Sequence, residues 1–80
     1  MILNCVLYGQ LAEIFNDRKI AFEVDDSIAT VADFRNLLNE KHPRLKGLSF
    51  TVAVHDTLVQ DDLQLKDGIE LHLMPPFAGG

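Results

Sequence analysis

The sequence has one cysteine and no tryptophan among its 80 residues. A single thiol, Cys5, can form neither an intramolecular disulfide nor a cluster of thiolate ligands around a metal. The fold must therefore depend on its hydrophobic core, and this cysteine content is typical of a reducing compartment, so we expect a cytoplasmic protein. We also expect Cys5 to be buried and inert, because reactive thiols need an exposed, electropositive setting.

Basic residues are scarce. Lys and Arg number 7 against 12 Asp and Glu, which gives a net charge of −5. A phosphate backbone would be repelled by such a domain, so we expect no nucleic-acid partner. The acidic pairs Asp25-Asp26 and Asp61-Asp62 are interpreted as solvated turns, and steering of the domain toward basic enzymes stays open as their second interpretation.

Long apolar runs and ligand-binding motifs are also missing. Residues 1–8 are interrupted by Asn4, lack a basic flank, and fall far short of the ~20 residues of a membrane span, so we expect neither a targeting signal nor a membrane partner. The sequence contains no glycine-rich phosphate loop, and His42, His55 and His72 lack the spacing of metal ligands. We therefore expect this chain to bind no metal or cofactor itself.

What the sequence does contain is the composition of one folded domain. It is 48% hydrophobic and 24% charged, which differs from the composition of disordered chains. Eighty residues are too few for two ordinary domains. We predict a globular domain over residues 1–74 and an extended C-terminal tail over residues 75–80.

Alternating apolar and polar residues predict strands over 2–8, 19–24, 50–55 and 69–74, with a short additional strand at 57–59. A helical turn over 11–15 separates the first two strands, which suggests a hairpin. The side chains predicted to face the core are Leu3, Cys5, Leu7, Ile20, Phe22, Val24, Phe50, Val52, Val54, Ile69, Leu71 and Leu73. Ala53, His55 and His72 are predicted to face outward, and Gly68 to supply a positive φ in the turn before the last strand.

One main helix is predicted after Thr30. Thr30 and Asp33 have the spacing of a capping box, and Pro43 ends the helix because the residue before a proline is disfavoured in the α region. One face of this helix is predicted to carry Val31, Phe34, Leu37, Leu38 and Lys41.

The order of elements indicates an α+β fold, the β-grasp (ubiquitin-like) roll, with a mixed sheet of four to five strands on one main helix. In this roll the first and last strands are parallel neighbours, so the outward Val6 and Tyr8 should lie beside Met74. Apolar residues on the outer face of a small sheet are candidates for a partner interface. The predicted interface residues are Val6, Tyr8, Leu58, Met74, Pro75 and Pro76.

The last six residues have a distinctive chemistry. Pro75 and Pro76 remove two backbone donors and favour a stiff, extended path. Gly79 and Gly80 have no side chains, so a narrow channel of a partner can admit the segment Phe77, Ala78, Gly79 and Gly80. The reactive group at such a tip is the terminal carboxylate of Gly80, whereas an incidental Gly-Gly end is the alternative.

The sequence resembles the small, sulfur-carrying subunit of molybdopterin synthase in four places. These are Gln10 after the first strand, the segment Ala53-Val54-His55-Asp56-Thr57-Leu58-Val59, the segment Leu65-Lys66-Asp67-Gly68-Ile69-Glu70-Leu71, and the tail from Pro75 to Gly80. The tail is the most diagnostic part, and the remainder is similar to other ubiquitin-like sulfur carriers, including the carrier of the thiazole pathway.

The resemblance implies that a partner enzyme adenylates Gly80 with ATP and that a sulfur donor converts it to a thiocarboxylate. The tail would then enter the large subunit of molybdopterin synthase, in a heterotetramer, and pass sulfur to a cyclic pterin phosphate to build the dithiolene. The catalytic residues would lie on the large subunit, and this chain would be its sulfur-donating subunit.

Three other functions remain open. A thiazole-type or other dedicated sulfur carrier would be adenylated in the same way but would dock on a different acceptor. A protein modifier would instead join Gly80 to a lysine of its target through an isopeptide bond. A ubiquitin-like binding module would make no use of the Gly-Gly end.

Overall fold

The computed structural model describes residues 1–45 and 48–75. Within these residues the chain forms five strands, two α-helices and one 3₁₀ turn. In chain order they are β1 (Ile2–Leu7), α1 (Gln10–Phe15), β2 (Lys19–Glu23), α2 (Val31–Lys41), a 3₁₀ turn (Pro43–Leu45), β3 (Thr51–Val54), β4 (Thr57–Leu58) and β5 (Glu70–Met74). Each predicted strand is confirmed, with its limits shifted by one residue at one or both ends.

The strands form one mixed sheet in the order β2-β1-β5-β3-β4. β1 and β5 pair in parallel, while the β1–β2, β3–β5 and β3–β4 pairs are antiparallel. This topology is the predicted β-grasp roll, in which the first and last strands of the chain are neighbours. The consequence for function is that β5, the strand that leads into the tail, is the central strand of the sheet.

One face of the sheet packs on α2 and forms the core. Leu3, Leu71 and Leu73 are at most 1% exposed, as their alternation predicts. Cys5 lies in the same layer and is also buried, and burial raises the pKa of its thiol to about 12. The thiol therefore stays protonated at neutral pH, which agrees with its interpretation as an inert core residue.

The N-terminus of α2 has the predicted capping box. Thr30 Oγ1 accepts the backbone N–H of Asp33 at 3.3 Å, and Asp33 Oδ2 accepts the backbone N–H of Thr30 at 3.1 Å. A further bond from the Ala29 N–H, at 3.0 Å, adds to these, and the Ala29 and Thr30 N–H donors lower the pKa of Asp33. The cap explains why the helix begins at Val31.

The β3–β4 connection corrects one prediction. The alternating pattern predicts His55 in a strand, but His55 forms with Asp56 a two-residue turn in which the φ angles of both residues are positive, 51° and 63°. This is the geometry of the turns that match the right-handed twist of a hairpin. Ala53 is on the outer face as predicted, yet it is only 5% exposed, because its cross-strand neighbours Leu58 and His72 cover it.

In the described ranges, neither helix has the length and apolar content needed to cross a bilayer.

Candidate functional site: the tail exit and the outer depression

The tail exit is the point where β5 ends at Met74 and the chain continues to Pro75. Both neighbouring strands hold it. On the β1 side, the Tyr8 N–H donates to Leu73 O at 3.1 Å. On the β3 side, Thr51 pairs with Met74, and its hydroxyl donates to Met74 O at 3.4 Å. The direction in which the chain leaves the domain is therefore fixed by the centre of the sheet.

Gly9 packs directly against the first residue of the predicted tail. Its φ is +57°, and a Cβ placed on it would lie 2.9 Å from Pro75 Cγ. A side chain at Gly9 would therefore both strain the backbone and displace Pro75. The contact of Gly9 with Pro75 depends on the parallel β1–β5 pairing, which brings together residues far apart in the chain.

A depression of about 260 Å³ lies on the outer face of the sheet beside the tail exit. This outer depression is lined by Tyr8, Ala53, Asp56, Leu58, His72 and Met74. Tyr8 is 41% exposed and Leu58 is 54% exposed. Apart from Ile2, no other large apolar side chain in the described residues is classed as exposed. An exposed apolar surface at this point is a candidate for contact with a partner protein.

The predicted interface residues divide into three groups. Tyr8, Leu58 and Met74 meet in the outer depression. Val6 does not line it, but pairs with His72 and borders a separate open groove of about 940 Å³ beside α1. Pro75 packs on Gly9, whereas Pro76 and the tail residues Phe77, Ala78, Gly79 and Gly80 lie outside the described residues.

The sequence predicts only that His72 faces outward, whereas the structure gives its side chain two defined partners. Its Nδ1 lies 2.8 Å from the Tyr8 hydroxyl, and the two rings stack with centroids 5.7 Å apart. Its Nε2 lies 3.6 Å from a carboxylate oxygen of Glu70. With the proton on Nε2, the Tyr8 hydroxyl donates to Nδ1 and the imidazole N–H faces Glu70. The contacts of His72 with Tyr8 and Glu70 fix the Tyr8 ring at one side of the outer depression.

One residue of each acidic pair takes part in a structural contact. Asp61 forms an ion pair with Arg35 at 3.1 Å, and the same guanidinium donates to Phe50 O at 2.6 Å. Asp25 accepts both the hydroxyl and the backbone N–H of Ser27, and these bonds lower the pKa of Asp25. The predicted turn locations are confirmed, and the contacts give Asp61 and Asp25 roles in the fold. In the described part of the chain, no three His, Cys, Asp or Glu side chains converge on a metal position.

Comparison with known proteins agrees with this geometry. The ThiS family matches residues 5–80. The chain belongs to the ThiS family. It is thus a small, ubiquitin-like protein of the sulfur-carrier type, and the resemblance to this group predicted from the sequence is confirmed.

Three solved structures show how far the similarity of this ThiS family member extends. Small archaeal modifier protein 1 of Haloferax volcanii is 27% identical, with a TM-score of 0.75 and full coverage of both chains. One chain in the complex of subunits 1 and 2 of the molybdopterin-converting factor from Helicobacter pylori is 26% identical, with a TM-score of 0.65 and full coverage of both chains. A chain of the BexX/CysO complex of Amycolatopsis orientalis shares the fold, at 22% identity and a TM-score of 0.68, with 98% of this chain and 99% of that chain covered.

Proposed function

We propose that this protein is the sulfur-carrying small subunit of molybdopterin synthase. In this proposal an adenylating enzyme activates Gly80 with ATP, and a sulfur donor then converts Gly80 to a thiocarboxylate. The tail inserts into the large subunit, where its sulfur passes to a cyclic pterin phosphate. The proposal takes Gly80 as the carboxyl terminus of the working protein, and ATP is bound by the adenylating enzyme.

The observation that carries the proposal is the position of the tail exit. A carrier must present its end repeatedly to different enzymes, and this requires a fixed departure point on a stable domain. The tail follows the central strand β5, whose end is bonded to β1 through Tyr8 and to β3 through Thr51. The close approach of Gly9 to Pro75 at the end of this strand supports a fixed departure point.

The outer depression supports the proposal from the partner's side. A partner that covers Tyr8 and Leu58 removes apolar surface from water and at the same time sits next to the tail exit. The structure from Helicobacter pylori is a complex of subunits 1 and 2, and the BexX/CysO structure is also a complex of two different proteins. We propose that the corresponding partner of this chain is the large synthase subunit.

The chemistry needs activation from outside the chain. A carboxylate is a poor acyl donor, so its oxygen must first be converted into a good leaving group. Reaction with ATP gives the acyl-adenylate of Gly80 and releases pyrophosphate. When the donor supplies hydrosulfide, its sulfur attacks the acyl carbon, the carbon–sulfur bond forms and AMP leaves, so one oxygen of Gly80 is replaced by sulfur. We propose that the protein acts with its partner enzymes in the cytoplasm, the kind of reducing compartment of which its single cysteine is typical.

Intact-mass spectrometry tests the proposal. The protein is incubated with ATP, the adenylating enzyme and a sulfur donor, and its mass should rise by the difference between sulfur and oxygen. A variant that lacks Gly79 and Gly80 keeps the domain of residues 1–74 and should show no change in mass on this treatment. A native protein that binds the adenylating enzyme yet forms neither adenylate nor thiocarboxylate contradicts the proposal.

The choice of acceptor has a direct test. The thiocarboxylate form is mixed separately with the large subunit of molybdopterin synthase and with the acceptor enzyme of thiazole synthesis, and product is measured in each case. Dithiolene formation supports the molybdopterin assignment. Transfer to the thiazole enzyme alone would make the protein a thiazole-type carrier.

A second candidate function is protein modification, which the full-length similarity to small archaeal modifier protein 1 favours. In that case Gly80, once activated, forms an isopeptide bond with a lysine of a target. Peptide mass spectrometry of the protein recovered from its native cells would show lysine side chains that carry the Gly79-Gly80 remnant. Replacement of Gly80 by a bulkier residue should remove these adducts.

A further inference from the structure

The strand β2, at the opposite side of the sheet from β4, has an exposed outer edge. It spans Lys19–Glu23 and bonds on one side to β1, and it is the first strand in the order β2-β1-β5-β3-β4. The main-chain donors and acceptors on the outer side of an edge strand are a template for pairing with another strand. The question is therefore which strand fits this edge.

The ladder between β1 and β2 shows which backbone groups face outward. The Leu7 N–H donates to Arg18 O, and the Val24 N–H donates to Met1 O. In an antiparallel pair, bonded and non-bonded residue pairs alternate. Ile20 and Phe22 therefore direct their N–H and C=O groups to β1, whereas those of Lys19, Ala21 and Glu23 point away from β1.

The side chains on this edge are self-complementary. We propose that β2 pairs with β2 of a second copy of this chain, antiparallel and centred on Ala21. This register places Lys19 of each copy opposite Glu23 of the other, so that an opposite-charge pair flanks Ala21 on each side. A shift of the register by two residues in either direction removes both Lys19–Glu23 pairs. Cross-strand pairs of opposite charge stabilise a sheet, and like charges destabilise it.

The same register satisfies the outward backbone groups. The three pairs Lys19–Glu23, Ala21–Ala21 and Glu23–Lys19 are all of the bonded type, in which each pair exchanges two N–H···O bonds. The N–H groups of Ala21 and Glu23 are directed at the partner. The N–H of Lys19 is now accepted by Asp17 Oδ1 at 3.2 Å, so Asp17 must release it on pairing.

The inner side of the edge also fits a second copy. Ile20 and Phe22 are only partly buried in the core, although both are apolar. In the antiparallel register Ile20 of each copy lies opposite Phe22 of the other, so the pairing extends the apolar layer across both copies. Beyond the strand, the register brings Asp17 near Asp25 of the other copy, and this repulsion, together with the net charge of −5, keeps the association weak.

The geometry leaves the candidate functional site free. In an antiparallel sheet, paired residues have their side chains on the same face. The outer depressions of the two copies therefore lie on one side of a continuous sheet. Since the two β5 strands run in opposite directions, the two tail exits lie at opposite ends, and both copies can dock partners at the same time.

Sedimentation velocity of the full chain tests the pairing. We expect the mass to rise from 9.0 kDa toward twice that value between about 10 μM and about 1 mM, the range in which small interfaces associate. Lys19→Glu and Glu23→Lys should each weaken the dimer roughly tenfold, because each places like charges opposite one another twice. The double variant K19E/E23K, and an equimolar mixture of the two single variants, should both dimerise again.

Two control variants distinguish a loss of strand pairing from an effect of net charge and from an effect of misfolding. Lys66→Glu makes the same change in net charge as Lys19→Glu at an exposed position outside β2, and it should leave the dimer intact. Ala21→Pro removes an N–H that points away from β1, so the domain should stay folded by circular dichroism and remain monomeric. A native chain that is monomeric over the whole range, or single charge variants that dimerise as the native chain does, would overturn the proposal.

Discussion

The two faces of the sheet differ in what their side chains do. On the inner face Leu71 and Leu73 are at most 1% exposed and fill the core under α2. On the outer face the next residues of the same strand, His72 and Met74, line the outer depression. A period of two therefore places successive residues of β5 alternately in the core and on the outer face, where we propose that a partner docks. This separation means that single substitutions can affect one property and spare the other.

The largest effect is expected for Leu71→Ala. Leu71 has no exposed surface and lies on the central strand, so truncation leaves a cavity and should lower the free energy of unfolding by about 2–5 kcal/mol. Glu70→Ala, one residue earlier and on the exposed outer face, should change it by less than about 0.5 kcal/mol. Urea denaturation of both variants measures the difference. Equal losses would contradict the division of the two faces.

Sequence periodicity predicts the inner face well because burial in a two-layer fold follows a period of two. The alternation along residues 2–8 predicts Leu3, Cys5 and Leu7 in the core, and all three are buried. The capping box at Thr30 and Asp33 was also predictable, since it depends on residues three apart. Features that depend only on residues close together in the chain can therefore be predicted from the sequence.

The outer face was predicted less completely because its contacts join distant parts of the chain. The Tyr8–His72 bond joins residues 64 positions apart. The burial of Ala53 depends on its cross-strand neighbours Leu58 and His72, whose registers the sequence does not reveal. His55 follows an alternating run and so was assigned to a strand, although the tight hairpin turn requires its positive φ.

The second largest effect is expected at the tail exit, and two glycines allow a matched test. Gly9→Ala strains a residue with φ +57° and places a Cβ 2.9 Å from Pro75 Cγ. Gly68→Ala strains a residue with φ +82°, but the added Cβ meets nothing within 4 Å. Each backbone strain should cost about 1–3 kcal/mol of stability.

Only Gly9→Ala should also reduce thiocarboxylate formation, because it displaces the start of the tail. Thermal unfolding and the intact-mass assay, applied to both variants below their melting temperatures, distinguish strain from displacement. Normal sulfur loading of Gly9→Ala would show that the Gly9–Pro75 contact does not position the tail.

A smaller effect, confined to binding, is expected in the outer depression. Leu58 is 54% exposed, so Leu58→Ala should leave stability within about 0.5 kcal/mol of the native value. Removal of an apolar group from the centre of an interface should weaken binding of the large subunit about tenfold. Ile2→Ala is the matched control, since Ile2 is also exposed, at 37%, but does not line the outer depression. Calorimetric titration that shows equal binding for both variants would place the docking surface elsewhere.

The smallest effect is expected for the N-terminal cap of α2, whose contribution to the stability of the fold should depend on pH. The pKa of Asp33 is lowered in the folded chain, first by the Ala29 N–H and then by the Thr30 N–H. A lowered pKa stabilises the fold at pH values above the ordinary carboxyl pKa, and this contribution is lost as the pH falls through the folded-state value. Asp33→Asn should therefore be less stable than the native chain at pH 7, and the difference should shrink toward pH 3. Urea midpoints at the two pH values measure this change, and a difference that stays constant would show that the charge of Asp33 does not contribute to the cap.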